Sequence, residues 1–212
     1  MKRSVPVLAL LIFACVFASG QASDDYKKFE VFAGYSNNLV ESPFDEEDPL
    51  GDSSLSRSSF HGFNTSAVVN LNRYIGLKAD VSGNYKNRNF NFSTPEGAIR
   101  FDTDESLYNF LGGVQIKNNS VDKKFKPFVH ALVGAGHLRV KVDNVSCPTG
   151  LDCGFITGRE STTGFAGAFG GGIDIKVNDH IDFRLVQVDY NPVRIEGMTQ
   201  QNVRFGIGLV FR

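Results

Sequence analysis

The stretch Asn72 to Tyr85, NRYIGLKADVSGNY, opens on a polar Asn-Arg turn and then alternates. Ile75, Leu77, Ala79, Val81, Gly83 and Tyr85 fall on one set of positions, and Gly76, Lys78, Asp80, Ser82 and Asn84 on the other. Period two predicts a β-strand with one apolar face ending in an aromatic ring and one small, polar or charged face. Two settings produce this pattern. One is a soluble sheet with water on its polar side; the other is a barrel with lipid outside and a polar lumen inside. The rest of the chain decides between them.

Similar alternation recurs in both directions. Phe29, Val31, Ala33 and Tyr35 oppose Glu30, Phe32, Gly34 and Ser36, giving a first strand. Phe63 to Leu71 opposes Gly62 to Asn70 in a second, and the opening stretch is the third. In the fourth, Tyr108, Phe110, Gly112, Val114 and Ile116 point outward, while Asn109, Leu111, Gly113, Gln115 and Lys117 point inward. The fifth is expected to send Phe128, Leu132, Gly134, Leu138, Val140 and Val142 outward, and Ala131, Ala135, His137, Arg139 and Lys141 inward. The sixth sets Phe165, Phe169, Ile173, Ile175 and Val177 against Ala166, Ala168, Gly170, Gly172, Asp174 and Lys176. In the seventh, Asp182 and Arg184 share the inner face with Gln187 and Asp189 only if a β-bulge falls near Leu185-Val186. The eighth sends Val203, Phe205, Ile207, Leu209 and Phe211 outward and Arg204, Gly206 and Gly208 inward.

Connections alternate in length. Short polar turns lie at Asn72-Arg73, from Asn118 to Lys124, and at Asn178 to His180. Long polar loops are expected at 41–58, from Asn87 to Asp104, at 143–160 and from Pro192 to Thr199. About eight strands of roughly ten residues, with alternating short and long connections, match an outer-membrane barrel with both termini on the periplasmic side.

The N-terminus sets the compartment. Lys2 and Arg3 precede an apolar run from Val5 to Phe17 and the small residues of Ala18-Ser19-Gly20-Gln21-Ala22. Residues 1–22 therefore read as a signal peptide, cleaved after Ala22 or alternatively after Gly20, with residues 23–212 as one domain. Phe13, before Cys15, and the apolar run continuing past it argue against a lipobox. Without Lys2 and Arg3, 20 of the 22 basic residues remain against 23 acidic ones, which gives no reason to expect nucleic acid. High Gly (22) and Phe (19) without Trp suit a closely packed all-β chain with aromatic girdles.

Cys147 and Cys153, with five residues between them in CPTGLDC, read as a disulfide closing a loop of an exported chain; without nearby histidines they cannot complete a zinc site. No metal or cofactor site is expected. Gly170-Gly171-Gly172 lacks the Lys-Ser/Thr of a phosphate loop and suits close strand packing. Of the histidines, His130 is expected outward and His137 inward, with His61 near a strand start and His180 in a turn. No Ser-His pairing follows from local spacing, so no catalytic residues are assigned and the chain is not expected to be an enzyme.

IGLKADVSGNY, PFVHALVGAG and the terminal VRFGIGLVFR resemble the small OmpA-like outer-membrane β-barrel domain of porin-family proteins. The resemblance spans nearly all of residues 23–212. It implies an all-β, eight-stranded antiparallel up-and-down barrel in a bacterial outer membrane, delivered by the barrel-assembly machinery. No peptidoglycan-binding domain follows the barrel, and the chain ends on Arg212 with Phe211 penultimate, whereas many such barrels end on an aromatic residue.

The expected inward charges are Glu30, Lys78, Asp80, Lys117, Arg139, Lys141, Asp174, Lys176, Asp182, Arg184, Asp189 and Arg204. An eight-stranded barrel is only wide enough for side chains to fill it, so these charges must pair into a plug. The leading expectation is thus a structural, surface-interaction or adhesion protein. Its partners would be outer-membrane lipid and lipopolysaccharide, with a surface ligand on loops 41–58 and 143–160. A narrow pore for ions or small solutes is one alternative. A soluble periplasmic calycin-like ligand-binding barrel is another.

Overall fold

The computed structural model describes residues 26–41, 57–94, 97–148, 157–195 and 197–212. Within these, β1 (Phe29–Glu41), β2 (Arg57–Asn70), β3 (Ile75–Thr94), β4 (Gly97–Lys117), β5 (Phe125–Ser146), β6 (Gly158–Lys176), β7 (Ile181–Ile195) and β8 (Met198–Phe211) follow one another. Each pairs antiparallel with its neighbours, and β1 pairs with β8 through Val31↔Phe211 to Leu39↔Val203, closing the barrel. The signal-peptide region, residues 42–56 and Cys153 lie outside the described residues.

Two short turns are built alike. Asn72 Oδ1 accepts the amides of Tyr74 and Ile75 at 2.8 and 2.9 Å, and Asn178 Oδ1 accepts those of His180 and Ile181 at 2.8 Å each. A side chain that mimics a backbone turn at the same place in two hairpins gathers the short connections at one end of the barrel. Pairing β7 to β8 shifts register between Arg184 and Gln187, where the expected bulge puts Arg184 and Gln187 on the same face.

The outward positions are apolar and exposed: Leu77, Val114, Val129, Phe169, Val188 and Ile207 all lie on this wall. Tyr74, Phe125 and Phe211 flank it at the short-turn end, and Tyr35, Phe63, Tyr85 and Tyr190 stand toward the other. At about 3.3 Å per residue and a tilt of about 40°, Tyr74 to Tyr85 rises roughly 28 Å, close to the apolar band of about 25 Å typical of outer-membrane barrels. A soluble calycin-like barrel would bury its apolar residues inside, so this wall excludes that reading.

Three expectations are corrected. The segment from Asn87 to Asp104 is mostly ladder: β3 and β4 stay paired up to Thr94↔Gly97, and Phe90 stacks on Phe101 at 5.0 Å. Its polar composition reads as loop because this hairpin rises beyond the aromatic belt, where neither face needs to be apolar. The segment from Pro192 to Thr199 is likewise mostly strand, with Val193 and Ile195 buried inside. The third correction is the facing of β5. Lys126, Phe128, His130 and Leu132 point inward and are buried, whereas Val129 and Val133 are exposed outside. Both faces of PFVHALVGAG are apolar, so only the charges at Arg139 and Lys141 suggested a direction. Those two lie beyond the belt, where an outward charge meets water.

The inverted facing has a direct consequence. Val133→Arg places a cation on the apolar wall and should lower the unfolding free energy in lipid vesicles by about 2–4 kcal/mol, while Arg139→Val changes it little. Measured unfolding titrations of the two variants check this.

Candidate functional site

The inner wall carries the chemistry. Starting at the short-turn end, Lys126 Nζ lies 2.9 Å from Asp182, and Arg212 reaches Asp182 at 3.2 Å and Glu30 at 3.0 Å. Lys117 then bridges Glu30 and Asp174 at 2.8 Å each, and Arg184 Nε donates to Asp174 at 2.8 Å. Gln187 carries the chain onward: it accepts from Arg184 at 2.7 Å and donates to Asp189 at 2.7 Å. Arg204 joins Asp189 at 2.7 Å to Asp80 at 2.9 Å and also donates to Ser82 at 3.0 Å. Lys78 lies 4.0 Å from Asp80 and donates to His130 Nδ1 at 3.2 Å, while His130 Nε2 lies 2.9 Å from Asp189.

The network is continuous from the short-turn end to the middle of the barrel. It joins six basic side chains (Lys78, Lys117, Lys126, Arg184, Arg204, Arg212) to five acidic ones (Glu30, Asp80, Asp174, Asp182, Asp189). Charges taken out of water are tolerated only with such geometry, because each would otherwise cost several kcal/mol.

Two rings brace it. The Arg184 guanidinium lies between Phe32 and Phe128, 4.3 and 4.2 Å from their centroids. This geometry combines cation–π attraction with packing. The rings fit because of glycines: a Cβ at Gly34, Gly208 or Gly172 would come 2.6, 2.9 or 2.9 Å from one of them. The Gly170–Gly172 run therefore serves close packing.

Beyond the charges the filling changes. Asn109 donates to Ser82 at 3.4 Å and to Asn191 at 3.3 Å, forming a neutral polar layer. Leu111, Leu132, Ala166, Ala168, Val193 and Ile195 then pack as an apolar cluster. Val40, Phe60 and Leu107 form a second cluster, and Leu138 packs against both.

Nine of the twelve residues expected in the lumen, Glu30, Lys78, Asp80, Lys117, Asp174, Asp182, Arg184, Asp189 and Arg204, are buried there. Three are elsewhere. Arg139 is exposed on the outer wall. Lys141 also faces outward and is bonded to Asp143. Lys176 sits at the barrel's end, paired at 2.7 Å with the exposed Asp179 of the turn. Lys126, His130 and Arg212 join the network without having been expected to. Period two carried through to the chain's end would have placed Arg212 on the face of Arg204. Lys126 and His130 were lost with the inverted facing of β5. His137 points outward, 2.8 Å from Thr163 Oγ1.

A serine and a histidine do meet. Ser59 and His61 are two apart on β2, which begins at Arg57, earlier than the alternation from Gly62 predicts. Ser59 Oγ lies 3.4 Å from His61 Nε2 and donates to Asn37 Oδ1 at 3.0 Å, and the Tyr35 hydroxyl bonds His61 Nδ1. Among the described residues no carboxylate contacts His61, and none form a group able to hold a metal ion.

Arg204→Met would strand Asp80 and Asp189. It should cost about 3–5 kcal/mol in urea unfolding followed by heat-modifiable gel mobility, whereas Arg139→Met should stay within about 0.5 kcal/mol.

Residues 7–211 match the outer membrane protein beta-barrel domain. No curated protein sequence matches the chain. Among solved structures, Ail, the attachment invasion locus protein of Yersinia pestis, crystallised with the heparin analogue sucrose octasulfate, aligns with a TM-score of 0.52 at 16% identity over 86% of this chain and 97% of that one. Neisserial surface protein A aligns with a TM-score of 0.52 at 13% identity over 87% and 97%. At these identities the likeness concerns the fold. With the closed barrel, the apolar outer wall and the charged lumen in place, the chain belongs to the outer membrane protein beta-barrel domain family and is a β-barrel of the bacterial outer membrane.

Proposed function

We propose that the chain is a non-catalytic outer-membrane scaffold with a closed lumen, whose extracellular segments contact a surface partner. The observation that carries this reading is the filling of the lumen. An ion-pair network occupies one half, and the Leu111–Leu132 and Phe60–Leu107 clusters lie beyond it. A barrel of this strand number leaves little room for a diffusion path.

The short turns at one end and the long β3–β4 and β5–β6 ladders at the other support periplasmic termini. The contact surfaces are then the acidic loop at 41–58, the loop at 143–160 closed by a Cys147–Cys153 disulfide, and the β3–β4 hairpin. Lipopolysaccharide and the barrel-assembly machinery complete the set of partners. Ail, of the same fold, was crystallised with a heparin analogue, so sulfated polysaccharide is a suitable first probe for this chain.

Purified protein in a planar bilayer should give no discrete conductance steps; regular openings would favour a narrow pore. Deleting residues 41–52 should alter adhesion of expressing cells and their sensitivity to divalent-cation depletion. Unchanged behaviour in both would remove that loop from the account.

A further inference from the structure

The residues that leave the lumen form a surface of their own. On the outer wall just beyond the aromatic belt, register places Tyr85 opposite Ser106, Ser106 opposite Arg139, and Arg139 opposite Ser161. In the next row Lys141 stands opposite Arg159. Directly opposed side chains have Cβ atoms about 4.5–5.5 Å apart and diagonal ones about 7–8 Å, so Arg139 and Arg159 can reach one group between them.

Charge is distributed unevenly over this patch. Asp104 stands opposite Lys141 in the ladder, and Asp143 bonds it, so the Lys141 charge is compensated. Arg139 and Arg159 are exposed, and among the described residues neither has an ion pair. Two guanidinium groups without an ion pair, flanked by the Ser106 and Ser161 hydroxyls and with Tyr85 in the same row, present donors to the outside. Guanidinium groups bind phosphate through paired, charge-assisted hydrogen bonds. The patch faces away from the barrel axis in the row of Tyr85, where the apolar outer wall gives way to polar residues.

We propose that Arg139 and Arg159, with Ser106 and Ser161, form a binding site for the phosphate of an outer-leaflet glycolipid, of which bisphosphorylated lipid A is the representative. The site holds the lipid against the β4–β6 wall. It is separate from the loops and the lumen, and it rests on the proposed orientation only for which leaflet supplies the lipid.

The test uses full-length protein folded in detergent, so binding does not depend on orientation in a cell. Lipid A and its dephosphorylated form are titrated separately against wild type, the double variant Arg139→Gln/Arg159→Gln, and a control that removes two cations from the opposite rim, Lys123→Gln/Lys124→Gln. Heat-modifiable gel mobility verifies that each variant is folded. Wild type should bind lipid A about tenfold tighter than the dephosphorylated form, and the Arg139/Arg159 variant should lose about that factor, with the control unchanged. Equal binding by the Arg139/Arg159 variant, or an equal loss in the control, would overturn the proposal. Competition by millimolar inorganic phosphate would also overturn it, because the site would then be a free-anion site and not a headgroup site. Epitope accessibility on intact cells tests the orientation independently.

Discussion

A charge on the inner wall of an eight-stranded barrel has neither bulk water nor lipid to turn to, because side chains fill the space. It must find a partner on the inner wall, from a neighbouring or a facing strand, or be absent. That constraint runs through the whole structure. Lys117 is held by carboxylates from β1 and β6, and Arg204 by carboxylates from β3 and β7. The two Lys117 ties and the Arg204–Asp80 tie cross the lumen between strands that share no backbone ladder, while Asp189 stands opposite Arg204 in the β7–β8 ladder. Backbone hydrogen bonds close the wall, and the ion pairs fix which walls face each other. Arg212 adds the same kind of tie beside the β1–β8 seam, linking the chain's last residue to Glu30 on β1 and Asp182 on β7.

The outer wall answers to the opposite requirement. It must offer nothing that needs a hydrogen bond across the apolar band and then become polar where the band ends. The change occurs within a few residues of Tyr85, Tyr108 and Phe165. Past that level β3, β4, β5 and β6 continue as ladders with charge on both faces, so inside and outside cease to be chemically distinct. The same rows that are forbidden to charge lower down become the place where Arg139 and Arg159 are unpaired.

This boundary also explains which parts of the molecule were legible in the sequence. In β1, β2, β3, β7 and β8 the membrane-crossing part has one apolar and one polar face, and alternation places Glu30, Lys78, Asp80, Asp182, Arg184, Asp189 and Arg204 inside, including the bulge after Arg184; in β6 it places Asp174 inside but also Lys176, which sits at the barrel's end. In β5 the two faces, Phe128–Leu132 and Val129–Val133, are both apolar. No local signal separates a ring that packs on Arg184 from a valine that faces lipid. The charges used to break the tie, Arg139 and Lys141, lay outside the region where the rule applies. His130 and Lys126 were misplaced for the same reason. Asn87 to Asp104 reads as loop in sequence although it is ladder, because a strand with water on both sides needs no apolar face.

The central claim is that the lumen charges act as one coupled network and not as independent buried groups. A double-mutant cycle on Arg204→Met and Asp189→Asn, measured by urea unfolding in lipid vesicles, tests it most directly. The two residues are 2.7 Å apart, and the account predicts a coupling energy above about 1 kcal/mol. Additivity within about 0.3–0.5 kcal/mol would contradict it.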